Sequence, residues 1–271
     1  MHTATAVDRR PVGQLLREWR ERRRLSQLEL SVQAEVSTRH LSFIETGRSR
    51  PTRDMIIRLT EHLEVPLRAR NGLLLAGGYA PAYPVERLDG PRLATVRSAL
   101  RGVLAGHEPY PAVLVDRHWT LLDGNAGVPL LTEGVAPDLL APPVNVLRLA
   151  LHPDGMAGRI VNLRQWRSHL VHRLDRQAAE TGDEVLRDLH RELLGYPGGC
   201  DPIPPLSAAE LVVPLRYRVD GMELLFFSIT SVLGTPLDVT LAELAIESFL
   251  PADQATADLL HARRAAPTTV T

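Results

Sequence analysis

With 271 residues and a hydrophobic fraction of 44%, the chain can bury a sizeable core and is comfortable for two domains. No apolar run nears the roughly 20 residues that cross a bilayer, the stretch MHTATAVDRRPVG lacks an apolar signal core, and one cysteine, Cys200, excludes an internal disulfide framework, so a cytoplasmic protein that enters no membrane is expected. The net charge of −1 hides an asymmetry, because residues 1–75 balance at +5 and the remainder at −6, which predicts that only the head approaches a polyanion.

The head reads as five short helices. Gly13 to Arg24 sets Leu15, Leu16 and Trp19 on one face among arginines. Ser26 and Glu29 form an S-x-x-E capping box, which starts a helix at Ser26 that runs to about Ala34. Glu35 and Val36 make a corner, Ser37 caps the next helix with Leu41 and Ile44, and Gly47 stops it. Thr52 caps a fourth helix carrying Met55, Ile56, Leu59 and Leu63, and Pro66 opens a fifth through Leu75. The Gly- and Pro-rich stretch GGYAPAYPVERLDGP suggests a boundary. The expected layout is therefore 1–76, a linker at 77–91, a second domain at 92–262 and a tail at 263–271.

The second domain opens with a helix from about Arg92 to Leu104. AVLVDRHWTLLDGN then reads as a strand pair around Asp116 to His118, ending at a capping Asn125. Helical segments are expected over Ala126 to Leu131, Val144 to Leu151 and Leu163 to Leu194, the last broken near Gly182. After the loop GYPGGCDPIPP, strands are expected over ELVVPLRYRVDGMELLFFSIT and VTLAELAIESFL. Asp220-Gly221 is a two-residue hairpin signal, because both positions take positive φ. It pairs Val219 with Met222, Arg218 with Glu223, Tyr217 with Leu224 and Leu215 with Phe226. The opposite charges at Arg218 and Glu223 suit this register. An α+β domain with an antiparallel sheet follows an all-α, five-helix head.

Two helices joined by a tight corner, the second polar on one side and apolar on the other, fit a helix-turn-helix whose second helix enters the major groove. The pattern Q-x-x-L-S…V-S-x-x-x-L-S-x-I-E-x-G-R-x-x-P resembles the lambda-repressor-like, or XRE, family of regulators over about Gly13 to Leu75. The resemblance implies a phosphate contact for Gln27, base-facing roles for Thr38, Arg39 and His40, and a place one turn on for Ser42 and Phe43. It also implies backbone contacts for Arg48, Arg50 and Arg53, and a buried salt bridge between Arg20 and Glu45. Glu35 departs from the glycine usual at the corner. Two such heads, about 34 Å apart, would read a pseudo-palindrome in double-stranded DNA, so a homodimer is expected. The all-arginine basic set points to a GC-rich, bacterial genome.

VLVDRHWTLLDGNAGVPLL resembles the opening of a PAS-type fold. The run from RHLSFIETGRSRP to LLLAGGYAP resembles the N-terminal half of MmyB-like regulators, whose second half is a PAS-like ligand-binding domain. The resemblance implies a small, apolar, fatty-acid-like ligand. For a pocket wall the residues offer Tyr217, Phe226, Ser228 and Thr230, with Trp166 able to close it; the alternative is that they pack the core. An arginine fork at Arg164 or Arg167 matches a carboxylate, but solvent exposure on the helix is the plainer expectation. His152, His169, His172 and Cys200 show no second tight ligand pair, so neither a metal nor another cofactor is expected. No nucleophile elbow, phosphate loop or H-E-x-x-H signature appears, so the expected protein is no enzyme. The rival readings are a DNA-binding autoregulator whose second domain is an enzyme or a protein-docking module.

Overall fold

The computed structural model describes residues 10–199 and 212–265. Cys200 and the expected strand start at Glu210 and Leu211 lie outside the described residues. The chain forms two compact units. One comprises Met1–Glu86 with Ala179–Gly182 and Thr235–Ala242; the other comprises Arg87–Ala178, Asp183–Gly234 and Glu243–Thr271.

The first unit carries α1 (Val12–Arg22), α2 (Gln27–Gln33), α3 (Thr38–Glu45), α4 (Arg53–His62) and α5 (Leu67–Ala76). Local chemistry sets the starts. Ser26 and Glu29 close the capping box on α2, Ser37 accepts from the His40 amide on α3, and Thr52 accepts from Met55 on α4. The ends share one device. After each helix a residue turns left-handed: Arg24, Glu35, Gly47, Glu64 and Gly78. The next amide then bonds back across six residues, as in Leu25 to the Arg20 carbonyl, Val36 to Ser31, Arg48 to Phe43, Val65 to Thr60 and Tyr79 to Leu74. Glu35 adopts φ 51°, so the corner keeps the geometry that glycine usually supplies, with a side chain in place. Gly13 has a different reason to be glycine. A Cβ there would stand 2.0 Å from the Ile44 carbonyl oxygen, so α1 lies directly on the backbone of α3. Leu16, Leu30, Leu41, Ile44, Ile56, Leu59, Leu63 and Leu74 fill the core between the helices.

The remaining elements are α6 (Ala94–Gly106), β1 (Ala112–Val115), β2 (Leu121–Gly124), α7 (Val128–Thr132), α8 (Pro137–Leu140), α9 (Val146–Leu151), α10 (Leu163–Thr181), α11 (Glu184–Leu194), β3 (Leu215–Val219), β4 (Met222–Val232), α12 (Val239–Ala242), β5 (Ala245–Pro251) and α13 (Gln254–Ala265). The five strands make one antiparallel sheet in the order β2-β1-β5-β4-β3. Asp220 and Gly221 both take positive φ, and the β3–β4 register matches the expected pairs from Val219–Met222 to Leu215–Phe226. One sheet face presents Val113, Val115, Leu215, Tyr217, Val219, Leu224 and Phe226 to the same core as Leu147 of α9, Leu170 and Leu174 of α10, and Leu186, Leu189 and Leu193 of α11.

Several expectations need correction. Arg218 does stand opposite Glu223, but the ion pair to Glu223 comes from the diagonal neighbour Arg216. The stretch VTLAELAIESFL is not one strand. Its first residues form α12, because the Asp238 carboxylate accepts from the Leu241 amide and caps a turn, and β5 begins only at Ala245. Asn125 does not cap a helix. Its Nδ2 donates to the Leu104 and Tyr110 carbonyls and its Oδ1 accepts from Ala112 and Gly127, which ties the end of α6 to β1. The long helical stretch breaks at Gly182, φ 70°, and Asp183 caps α11. α13 was not expected from the sequence.

Candidate nucleic-acid interface and ligand-binding domain

Behind the outward face of α3 lies a buried ion pair. Arg20 donates from Nε to Glu45 Oε1 at 2.7 Å and from Nη2 to Oε2 at 2.8 Å, and its Nη1 reaches the Leu25 carbonyl. Hydrogen bonding to Glu45 is the main reason the Arg20 pKa is raised. Gln27 adds a third donor, Nε2 to Glu45 Oε2 at 2.8 Å, so its amide nitrogen is engaged inside the unit and its amide oxygen is the end left for an outside partner. Thr38 is shared with α2 through a 2.8 Å hydroxyl contact to Ser31. It braces the two helices, whatever else it meets.

The residues that project are Arg39, His40, Ser42 and Phe43. The Arg39 guanidinium lies over the half-buried Phe43 ring at 5.3 Å, and Arg48 lies over the same ring at 5.9 Å. His40 Nε2 is 3.5 Å from the Ser49 hydroxyl. Arg48, Arg50 and Arg53 are exposed after α3, with Arg53 in only a loose surface pair to Asp54 at 3.8 Å. The arrangement offers one planar donor fork at the start of a helix, flanked by cations. It suits base edges beside phosphates.

In the other unit, Trp166, Tyr217 and Phe226 are packed in the core. The Tyr217 hydroxyl donates to the Leu131 carbonyl at 2.7 Å, and burial raises its pKa. Ser228 and Thr230 do gather, but around an acid that sequence reasoning missed. Glu247 is 4% exposed and accepts from Ser228 at 3.2 Å, from Thr230 at 2.7 Å and from both terminal nitrogens of Arg173. Arg173 also lies over the Trp119 ring at 4.5 Å, and Trp119 holds a left-handed backbone, φ 67°, while its indole donates to Gln177. His169, one turn before Arg173, stacks on Trp166 at 5.4 Å; burial first, and the Arg173 charge second, lower its pKa. One signal for Glu247 lies in the strand pairing: Thr230, offered by the sequence for a pocket wall, has an acid directly across from it.

Arg164 is exposed as expected, but Arg167 is not. It is 2% exposed and caps the C-terminal end of α11, because its helical position turns it toward Leu193 rather than toward water. Among the described residues, no group of three or more His, Cys, Asp or Glu is arranged to hold a metal ion. None of the described helices is long and apolar enough to cross a membrane.

The fold and its exposed recognition helix define a helix-turn-helix protein joined to an α+β domain. Comparison with protein families gives the same division, with a helix-turn-helix domain matched over residues 11–73 and an MmyB-like transcription regulator ligand binding domain over 96–262. The chain belongs to the MmyB-like transcription regulators, and its two parts are those of a ligand-responsive transcription regulator. No curated protein matches it significantly. A solved structure described as "Structure of an RNA-binding Light-Oxygen-Voltage Receptor" aligns with 97% of this chain at 15% identity and a TM-score of 0.26. This chain spans 64% of that one, and so loose a likeness carries no argument.

Proposed function

We propose that the protein is a cytoplasmic, homodimeric regulator of the XRE type. Each head, 1–76, reads one half of a pseudo-palindromic operator through Arg39, with His40, Ser42 and Phe43 beside it and Arg48, Arg50, Arg53 and Gln27 on phosphates. The body, 92–262, is a PAS-like sensor of a small apolar ligand, and binding shifts the protein toward whichever state holds that ligand more tightly. The observation that carries the reading is the capped start of α3, where Arg39 stands exposed against Phe43 while the helix behind it is anchored by Glu45. A guanidinium fork at that position fits O6 and N7 of guanine, which is worth about 1–3 kcal/mol of discrimination. Arg39→Ala in a binding selection with randomised DNA should relax preference at one base position in each half-site. An unaltered preference would remove Arg39 from the reading edge.

A further inference from the structure

We infer that Phe43 reads the C5 methyl group of a pyrimidine, thymine or 5-methylcytosine, beside the guanine met by Arg39. Choice of operator then depends on a methyl group as well as on hydrogen bonds. The inference deepens the reading of α3 as a helix in the major groove and rests on it.

Leu41, Phe43 and Ile44 are the large apolar side chains of α3, and they part company. Leu41 and Ile44 are fully buried in the head's core. Phe43 stays half-buried, and among the described residues neither that core nor the apolar side chains packed on it include it. Its neighbours are cations: the Arg39 guanidinium lies over the ring at 5.3 Å and that of Arg48 at 5.9 Å. The Phe43 carbonyl accepts from the Arg48 and Ser49 amides at 2.8 and 3.0 Å, which ties the turn carrying Arg48 to this residue. A lone apolar side chain at a surface needs no special reason. This one shares its helix face with Arg39, because positions four apart on a helix are neighbours. Base edges in the major groove present hydrogen-bonding groups that a hydrocarbon ring cannot meet, and the exception is the C5 methyl group. A phenyl ring set beside the Arg39 fork therefore has one suitable partner there. Four residues span about 6 Å of helix axis and base pairs follow one another at about 3.4 Å, so the methyl falls about one or two base pairs from the guanine. Thymine always carries that methyl, whereas cytosine carries it only after methylation. The rival account is that Phe43 only steadies the two guanidiniums, in which case removing a methyl group from the DNA would change nothing.

The test uses the full chain and the duplex it selects from randomised DNA, with affinities measured by fluorescence anisotropy at fixed salt. Thymines of one half-site are replaced singly by uracil, which removes the methyl group and keeps every hydrogen bond. One replacement near the guanine should weaken binding about three- to fivefold, the size of one methyl group taken out of water. Cytosine and then 5-methylcytosine in that place, with guanine opposite, separate the two sources of the methyl; the methylated duplex should bind more tightly by about the same factor. In Phe43→Ala both ratios should fall to unity, and in Phe43→Leu part of each should remain. A methylated duplex no tighter than its cytosine counterpart would overturn the response to methylation and assign the contact to thymine alone. A selected half-site with no thymine within about two base pairs of guanine, uracil binding as tightly as thymine, or a ratio that persists in Phe43→Ala would overturn the assignment, and each would leave α3 standing as the recognition helix. Failure to select any sequence would overturn both.

Discussion

Removing the Arg20 guanidinium tests how the recognition helix is held. Arg20 and Glu45 are each 8% exposed, and two parallel hydrogen bonds of 2.7 and 2.8 Å join them. In Arg20→Met the Glu45 carboxylate would keep the Gln27 amide as its one side-chain donor among the described residues and would remain buried. Breaking one side of such a pair costs about 3–5 kcal/mol, because the charge left behind stays desolvated. A domain with roughly 5–15 kcal/mol of total stability would lose a large part of it. At a urea slope of about 1–3 kcal/mol per molar, the midpoint should fall by one molar or more. Arg20→Met combined with Glu45→Met removes both charges and should recover most of the loss, since replacing a buried ion pair by apolar groups is often neutral or better. Equilibrium urea unfolding followed by far-UV circular dichroism reads both variants. A single substitution costing less than about 1 kcal/mol, or a double variant no more stable than the single one, would show that the pair is hydrated in solution and contradict the burial argument.

Three further outcomes are expected. Arg48→Ala should weaken binding to all DNA sequences alike and reduce the slope of log affinity against log salt by about one unit; a fixed slope would take Arg48 off the phosphates. Glu35→Gly should raise the thermal midpoint, because the left-handed cost of a side chain, about 1–2 kcal/mol, exceeds the entropic cost of glycine, about 0.5–1 kcal/mol; a lower midpoint would mean the Glu35 side chain has its own stabilising role. Glu192 accepts from Arg148 at 2.6 and 2.7 Å and from Tyr196 at 2.5 Å, and the Arg148 hydrogen bond chiefly lowers its pKa from 4.5 to about 2, while the Tyr196 hydroxyl is pushed up to about 12, first by burial. A depressed carboxylate stabilises the fold above its unfolded pKa and ceases to do so as pH falls through the folded one. The stability gap between the protein and Glu192→Gln should therefore be level above about pH 4.5 and close toward pH 2, and a gap that does not vary with pH would argue against the ion pair.

What was legible in the chain was local. The capping box at Ser26, the caps at Ser37 and Thr52, and the Asp220-Gly221 corner each act within a few residues, so type and register followed from them. Asp238 acts just as locally, yet the apolar run after it reads equally well as a strand, and the short α12 was hidden there. The inward charges were beyond reach for another reason. Arg167 looks like any helical arginine until α11 packs beside it, and Glu247 looks like a solvated break in AIESFL until Arg173 arrives from α10. Burial of a charge is settled by partners distant in the chain, and no period of two or 3.6 residues announces it.

The Arg20–Glu45–Gln27 knot has an evolutionary corollary. It fastens α3 from behind, with side chains that the outward residues Arg39, Ser42 and Phe43 neither donate to nor accept from. Those outward positions are thus free to drift: a lineage could acquire a new operator by exchanging them while inheriting the same mounting, and an engineer retargeting this head would leave the mounting untouched.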